Sequence, residues 1–189
     1  MLKSFDHVSF EHVCSGIGIP YLYRYLRDVE HLEEKPDVAK LIDSTADASV
    51  VTINQAIDPV NPSKLCAATV DLFVSILAGE AGNLAVKALA TGGVYLAGGV
   101  VVHTLRVIEG PGFMQRFKRK GRFAELMGRI PIHVVVTPAA ITGAAAYGLE
   151  NSIPNSSKKA NCLRRKRFSA ASTVRGPVRD CGNRRELAE

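Results

Sequence analysis

Two glycine pairs bracket a short apolar run in Thr91-Gly-Gly-Val-Tyr-Leu-Ala-Gly-Gly-Val100, and no other stretch restricts the fold of this chain so tightly. Val94 to Ala97 is rich in strand formers and too short for a helix, so it predicts a buried strand. The flanking pairs predict turns, and Val100 to Ile108 predicts a helix behind the second of them. A glycine pair at the end of a buried strand lets backbone come close to a ligand. The helix behind it aims free N–H groups and partial positive charge at the same place, which suits a nucleotide. Two tight turns in an α/β core would use the same glycines.

The helical period dominates the region before that strand. Val70, Phe73, Val74, Leu77, Ala81, Leu84, Ala85 and Ala88 recur at three- and four-residue steps between Leu65 and Ala90, with Asp71 and Lys87 left to face water. Gly79 and Gly82 would each weaken such a helix by about 1 kcal/mol, so they mark close approach to another element or a small break. A helix feeding a buried strand with almost no loop is the grammar of an α/β layered fold. Upstream, Pro20 fits the first turn of a helix through Tyr21 to Arg27, with Leu22, Tyr25 and Leu26 on one face. Asp28 to Lys64 is more polar and holds Pro36, Pro59 and Pro62. It is expected to form surface structure, with helices near Val38 to Ile42 and Ala48 to Ile57. Downstream, Glu109-Gly-Pro-Gly112 reads as a turn, Ala124 to Gly128 as a short helix and Ile130 to Val136 as a buried strand. Pro138 opens a small-residue stretch, Ile141 to Tyr147, expected as a helix packed tightly against backbone.

The net charge of +6 over 189 residues belongs to one end of the chain. Asn151 to Glu189 carries ten Lys/Arg against three acids, a balance of +7, which leaves Met1 to Glu150 at −1. Residues 1–150 therefore read as one globular domain, and 151–189 as a basic, disordered tail. Clusters such as Arg164-Arg-Lys-Arg167 attract phosphates, but Phe168 is the tail's sole aromatic, so nucleic acid is not an expected partner. The longest uninterrupted apolar runs fall short of a membrane span, and Met1 to Asp6 holds no cleavable apolar segment, so the cytoplasm is the expected compartment. Cys14, Cys66, Cys162 and Cys181 form no Cys-x-x-Cys pair, and the five histidines are scattered, so no metal site is assigned.

Five ordered blocks carry a family resemblance. They are Asp6-His-Val-Ser-Phe-Glu-His-Val-Cys-Ser-Gly-Ile-Gly18 with its following helix, Leu72 to Ala85, Gly92 to Gly99, Phe113 to Phe123 with its Lys-Gly-Arg, and Ile130 to Val136. In this order and spacing the chain resembles the C-terminal half of bacterial-type ATP-dependent glucokinases. His12 stands where the family pattern has arginine. The resemblance implies an α/β fold, the C-terminal lobe of the actin-like (ribonuclease-H-like) sugar kinases, with the N-terminal lobe absent.

By that resemblance Glu11 accepts hydrogen bonds from glucose hydroxyls, a task for which a carboxylate offers several charge-assisted acceptor sites. Gly98 and Gly99 match the glycines beside the adenosine of ATP, where a side chain would collide with the nucleotide. ATP and Mg2+ are implied as nucleotide and metal, and glucose as the other small-molecule partner. The family's Asp-x-Gly-Gly-Thr phosphate loop, catalytic aspartate, second phosphate motif and Glu-x-x-His sugar motif have no counterpart in this sequence. No catalytic residue is assigned, and the chain alone is expected to be inactive, a missing N-terminal lobe being its natural complement. The competing expectation is a non-catalytic scaffold whose basic tail binds anions. A dinucleotide oxidoreductase is excluded, because the two glycine pairs do not make Gly-x-Gly-x-x-Gly.

Overall fold

The computed structural model describes residues 6–137, 139–152 and 174–175. Its axis is helix α4, Lys64–Ala88, whose 25 residues make a rod roughly 37 Å long. Ser63 starts this helix by accepting the Cys66 N–H at 3.3 Å. It stops where Leu89 turns left-handed at φ 47°, and the Ala90 N–H reaches back to the Ala85 carbonyl at 3.0 Å. A leucine in that conformation costs about 1–2 kcal/mol.

Helices α1 (Ile19–Asp28), α2 (Pro36–Ser44) and α3 (Ala48–Ala56) precede α4, and α1 and α3 pack directly on it. On α1 the buried residues are Ile19, Leu22, Tyr23 and Leu26, whereas Tyr25 points outward. The expected face was therefore rotated by part of a turn: Tyr23 is buried with its hydroxyl donating to Glu34 at 2.8 Å, while Tyr25 donates to Glu30 at the surface. The segment expected as surface structure also contributes to the core. Val38, Thr52 and Ile53 are buried, with the Thr52 hydroxyl satisfied by the Ala48 carbonyl at 2.8 Å. Polar composition hid this, because a buried threonine that bonds its own helix reads as a surface residue.

After α4 come β1 (Val94–Leu96), α5 (Gly99–His103), α6 (Leu105–Ile108), α7 (Pro111–Lys118), α8 (Ala124–Arg129), β2 (Ile132–Val135), α9 (Ala139–Ser152) and β3 (Val174–Arg175). Strands β1 and β2 pair in parallel, Val94 opposite Ile132 and Leu96 opposite Val134; β3 pairs antiparallel with β2, Val135 opposite Val174. This is a mostly helical α/β arrangement with a small sheet. Leu96, Ile132 and Val134 are buried in the same cluster as Phe73, Phe113 and Phe117, so one sheet face and α7 share the core beside α4. Strand β1 is only half buried, since Tyr95 faces away from that core.

By length and composition alone α4 would pass as a membrane span, but charged residues interrupt its apolar runs and half of its most apolar window is buried against the fold. One further expectation is corrected. Helix α9 forms as expected but is not tightly packed: its side chains from Ala140 to Glu150 are exposed, Ile141 at 74%. Of the tail, only Val174 and Arg175 fall within the described residues after Ser152.

The two glycines inside α4 behave differently. A Cβ at Gly82 would lie 2.8 Å from the Phe117 carbonyl oxygen and would collide with the Lys120 side chain. No atom lies within 4 Å of a Cβ at Gly79. Lys120 closes this crossing by donating to the Gly79 carbonyl at 2.7 Å and to Asn83 Oδ1 at 2.7 Å. Gly82→Ala should therefore destabilise the chain by about 1–3 kcal/mol through overpacking. Gly79→Ala should stabilise it by about 0.5–1 kcal/mol, because the helix loses its entropic penalty. Urea denaturation of the two variants checks the opposite signs.

Candidate functional site

The first block folds as two short 3-10 turns, Phe10–His12 and Gly16–Gly18, leading into α1. His12 holds the first: its Nδ1 accepts the Ser9 backbone N–H at 3.2 Å, and the Ser9 hydroxyl lies 3.0 Å from the same atom. The Ser15 hydroxyl donates to the Glu11 carbonyl at 2.7 Å and links the two turns. Gly18 is required sterically, since a Cβ there would lie 2.9 Å from the His12 carbonyl oxygen and from Val13. The Glu11 side chain is exposed at the tip of this segment. Behind it, burial pushes the Cys14 thiol up from its ordinary range, and the charge of Glu80 adds to that shift.

Gly16 ties this block to the glycine-bracketed strand. A Cβ at Gly16 would sit 3.2 Å from Val100 Cγ2, on the first turn of α5. Gly98 caps that helix with φ 120° and ψ 159°, a backbone conformation open to glycine almost alone. Neither Gly98 nor Gly99 has an atom within 4 Å of where a Cβ would stand, so their free side is open space.

Two hollows meet at α5. The larger, about 640 Å³, lies between the Gly16 turn, the start of α3 and α5, with Tyr21, Arg24, Asp47, Ser49 and His103 as its polar lining. The smaller, about 340 Å³, lies between Gly98 and the end of β2 near Val136 and Thr137. Gly99 and His103 line both. Within the larger hollow the Arg24 guanidinium stands 4.8 Å from the centre of the Tyr21 ring. Asp47 caps α3, accepting the Ser49 N–H at 3.1 Å, the Val50 N–H at 3.3 Å and the Ser49 hydroxyl. The Ser49 hydroxyl and the two backbone N–H groups hold the Asp47 carboxyl below its usual range, with the charge of His103 contributing.

The structure brings some of the residues singled out in the sequence to these hollows and leaves another outside them. Gly98 and Gly99 are brought to the wall of the smaller hollow. Glu11 lines neither hollow, and stands on the turn that precedes the Gly16 contact with Val100. The expected helix from Val100 to Ile108 is broken at Thr104, whose hydroxyl bonds the Val100 carbonyl at 2.8 Å. The resulting five-residue α5 is too short to aim a substantial dipole at a phosphate. Asp47, Ser49, Tyr21, Arg24 and His103 escaped the sequence reading. One signal was available: His103 follows Gly99 by four residues, which puts both on one helix face.

A family model for glucokinase matches residues 1–151. The chain belongs to the glucokinase family. It is 34% identical over 150 residues to the glucokinase of Nostoc punctiforme, covering 74% of this chain and 44% of that protein. To the glucokinase of Neisseria meningitidis serogroup C it is 35% identical over 153 residues, covering 81% and 43%. A crystal structure of glucokinase from an Antarctic psychrotroph superposes with a TM-score of 0.57 at 28% identity, covering 79% of this chain and 42% of that one. The chain thus spans less than half the length of the curated glucokinases it matches.

The glycines and the cap give separable expectations. Gly98→Ala should destabilise the fold by about 1–3 kcal/mol, from the strained backbone it would have to adopt. Gly99→Ala, opening onto free space, should leave thermal stability nearly unchanged. Asp47→Ala should cost about 1 kcal/mol through loss of the cap. Because the folded-state carboxyl is depressed, Asp47 contributes stability above an unfolded value near pH ~3.9. That contribution disappears as pH falls through the lower native value. Urea titrations of wild type and Asp47→Ala should accordingly converge in acid.

Proposed function

We propose that this chain is the sugar- and nucleotide-facing C-terminal lobe of an actin-like glucokinase, the enzyme that phosphorylates glucose from ATP in the first step of glycolysis. The family match over residues 1–151 carries this reading. Glu11 is the glucose ligand: its exposed carboxylate is free to take charge-assisted hydrogen bonds from sugar hydroxyls. Gly98 and Gly99 receive the nucleoside end of ATP, which the open space beside both supports. His103, Tyr21 and Arg24 give the adjoining hollow both stacking and polar edges suited to a base and ribose.

The described residues hold no group of three or more metal-ligating side chains, so no residue of this chain is assigned to Mg2+. When ATP is bound the ion neutralises phosphate charge; the groups that place the phosphates and orient the attacking hydroxyl are not among those assigned here. The chain by itself is therefore a binding half-site, at work in the cytoplasm and complemented by an N-terminal lobe.

Purified chain is expected to give no glucose-dependent ATP consumption in a coupled assay. It should bind glucose weakly by ligand-observed NMR, and Glu11→Gln should weaken that binding about 10- to 100-fold, the worth of hydrogen bonds to a charged group. Turnover by the chain alone, or glucose binding indifferent to Glu11→Gln, would remove this reading.

A further inference from the structure

Packing does not fix the direction of the Glu11 side chain. Phe10 beside it is 56% exposed, Glu11 is exposed, and among the described residues its carboxylate has no hydrogen-bond partner. Its direction is set by the backbone of the turn Phe10–His12, which is fastened at two ends. At the exit, the Val13 and Cys14 N–H groups donate to the Phe10 carbonyl at 3.0 and 2.7 Å, and the Ser15 hydroxyl holds the Glu11 carbonyl. At the start, Ser9 and His12 hold each other. The His12 N–H donates to the Ser9 carbonyl at 3.1 Å, and the Ser9 N–H donates to His12 Nδ1 at 3.2 Å. The third residue of the turn thus reaches back to the residue that caps it, with an imidazole in place of the usual Glu or Gln.

A backbone N–H can only donate. Nδ1 is therefore the acceptor, and the ring proton stands on Nε2. The imidazole is itself seated, half-buried with its centre 6.5 Å from that of the Tyr21 ring on α1. Arginine, which the family pattern has at this position, carries donors and no acceptor, so it cannot close the start of the turn in this way.

Resting on the reading of Glu11 as the glucose ligand, we propose that His12 is a positioning residue for it: the Nδ1 lone pair, by accepting the Ser9 N–H, holds the turn from which the carboxylate meets the sugar. His12 does this without touching the substrate. A carboxylate on a turn left open at one end samples more directions, and that freedom is lost when glucose binds, so the acceptor contributes affinity through order.

The test measures glucose binding to the full chain by ligand-observed NMR. His12→Arg should weaken it about 3- to 10-fold, the worth of one net hydrogen bond. His12→Asn should stay within about twofold of wild type, because Asn Oδ1 can stand where Nδ1 stands and accept the same N–H. In the Glu11→Gln background His12→Arg should add less than about twofold, since the two residues act as one unit. Should His12→Arg not fold, His12→Leu, which removes the acceptor without adding charge, replaces it. In mildly alkaline buffer, nitrogen NMR of the wild-type chain should find the His12 ring proton on Nε2. Asparagine as weak as arginine, full additivity in the double variant, or a ring proton on Nδ1 would each overturn the inference. Binding that depends on Glu11 but is indifferent to residue 12 would overturn it too, leaving the glucokinase reading intact. Glucose binding that is absent, or indifferent to Glu11→Gln, would sink both.

Discussion

The approach of α7 to α4 at Gly82 is the contact on which the described structure depends. Helix α4 packs against α1 and α3, and it shares its core with the Phe113 and Phe117 rings of α7, 6.3 Å apart. The approach of α7 is possible only because residue 82 has no side chain, which lets the Phe117 carbonyl and the Lys120 stem lie against the helix backbone. Lys120 then bonds Gly79 and Asn83, turning a steric allowance into a fixed crossing. The core cluster holding α7 also holds the inward residues of β1 and β2, so the position of the Gly98 turn follows from that crossing.

What the sequence made legible was mostly local. Periodicity located α4, and Pro20 and Pro36 stand in the first turns of α1 and α2. The glycine pairs marked the strand between them. What stayed hidden depends on partners distant in the chain. Tyr23 and Tyr25 have the same intrinsic character, and only the neighbouring α4 and Glu34 decide which is buried. Thr52 and Thr104 bond carbonyls of their own helices, so burial costs them little and their polarity misleads. For α9 the small residues suggested close packing, whereas the described side chains face outward.

The site was legible to the same degree. Gly98 could be picked out because its backbone demand is written in its identity, whereas Gly99 takes no left-handed φ and is marked only as its neighbour. Asp47 could not: its side chain is spent on the first turn of α3, and its neighbourhood with His103 arises only when α3 and α5 share a hollow. Glu11 carries no local mark at all. An exposed acid on a 3-10 turn has many uses, and the sugar-binding role proposed for it rests on the family resemblance rather than on its surroundings.

The break at Thr104 has a consequence for how a nucleotide would be held. A single turn and a half of helix behind Gly98 provides little aligned backbone polarity, so attraction to an anion there is weak at long range. Retention of a nucleotide at the hollow proposed for it beside Gly98 and Gly99 would then rest on shape and short-range contact rather than on field strength. Nucleoside affinity at the hollow should consequently vary little with ionic strength, and adenosine should lose little against its phosphorylated forms.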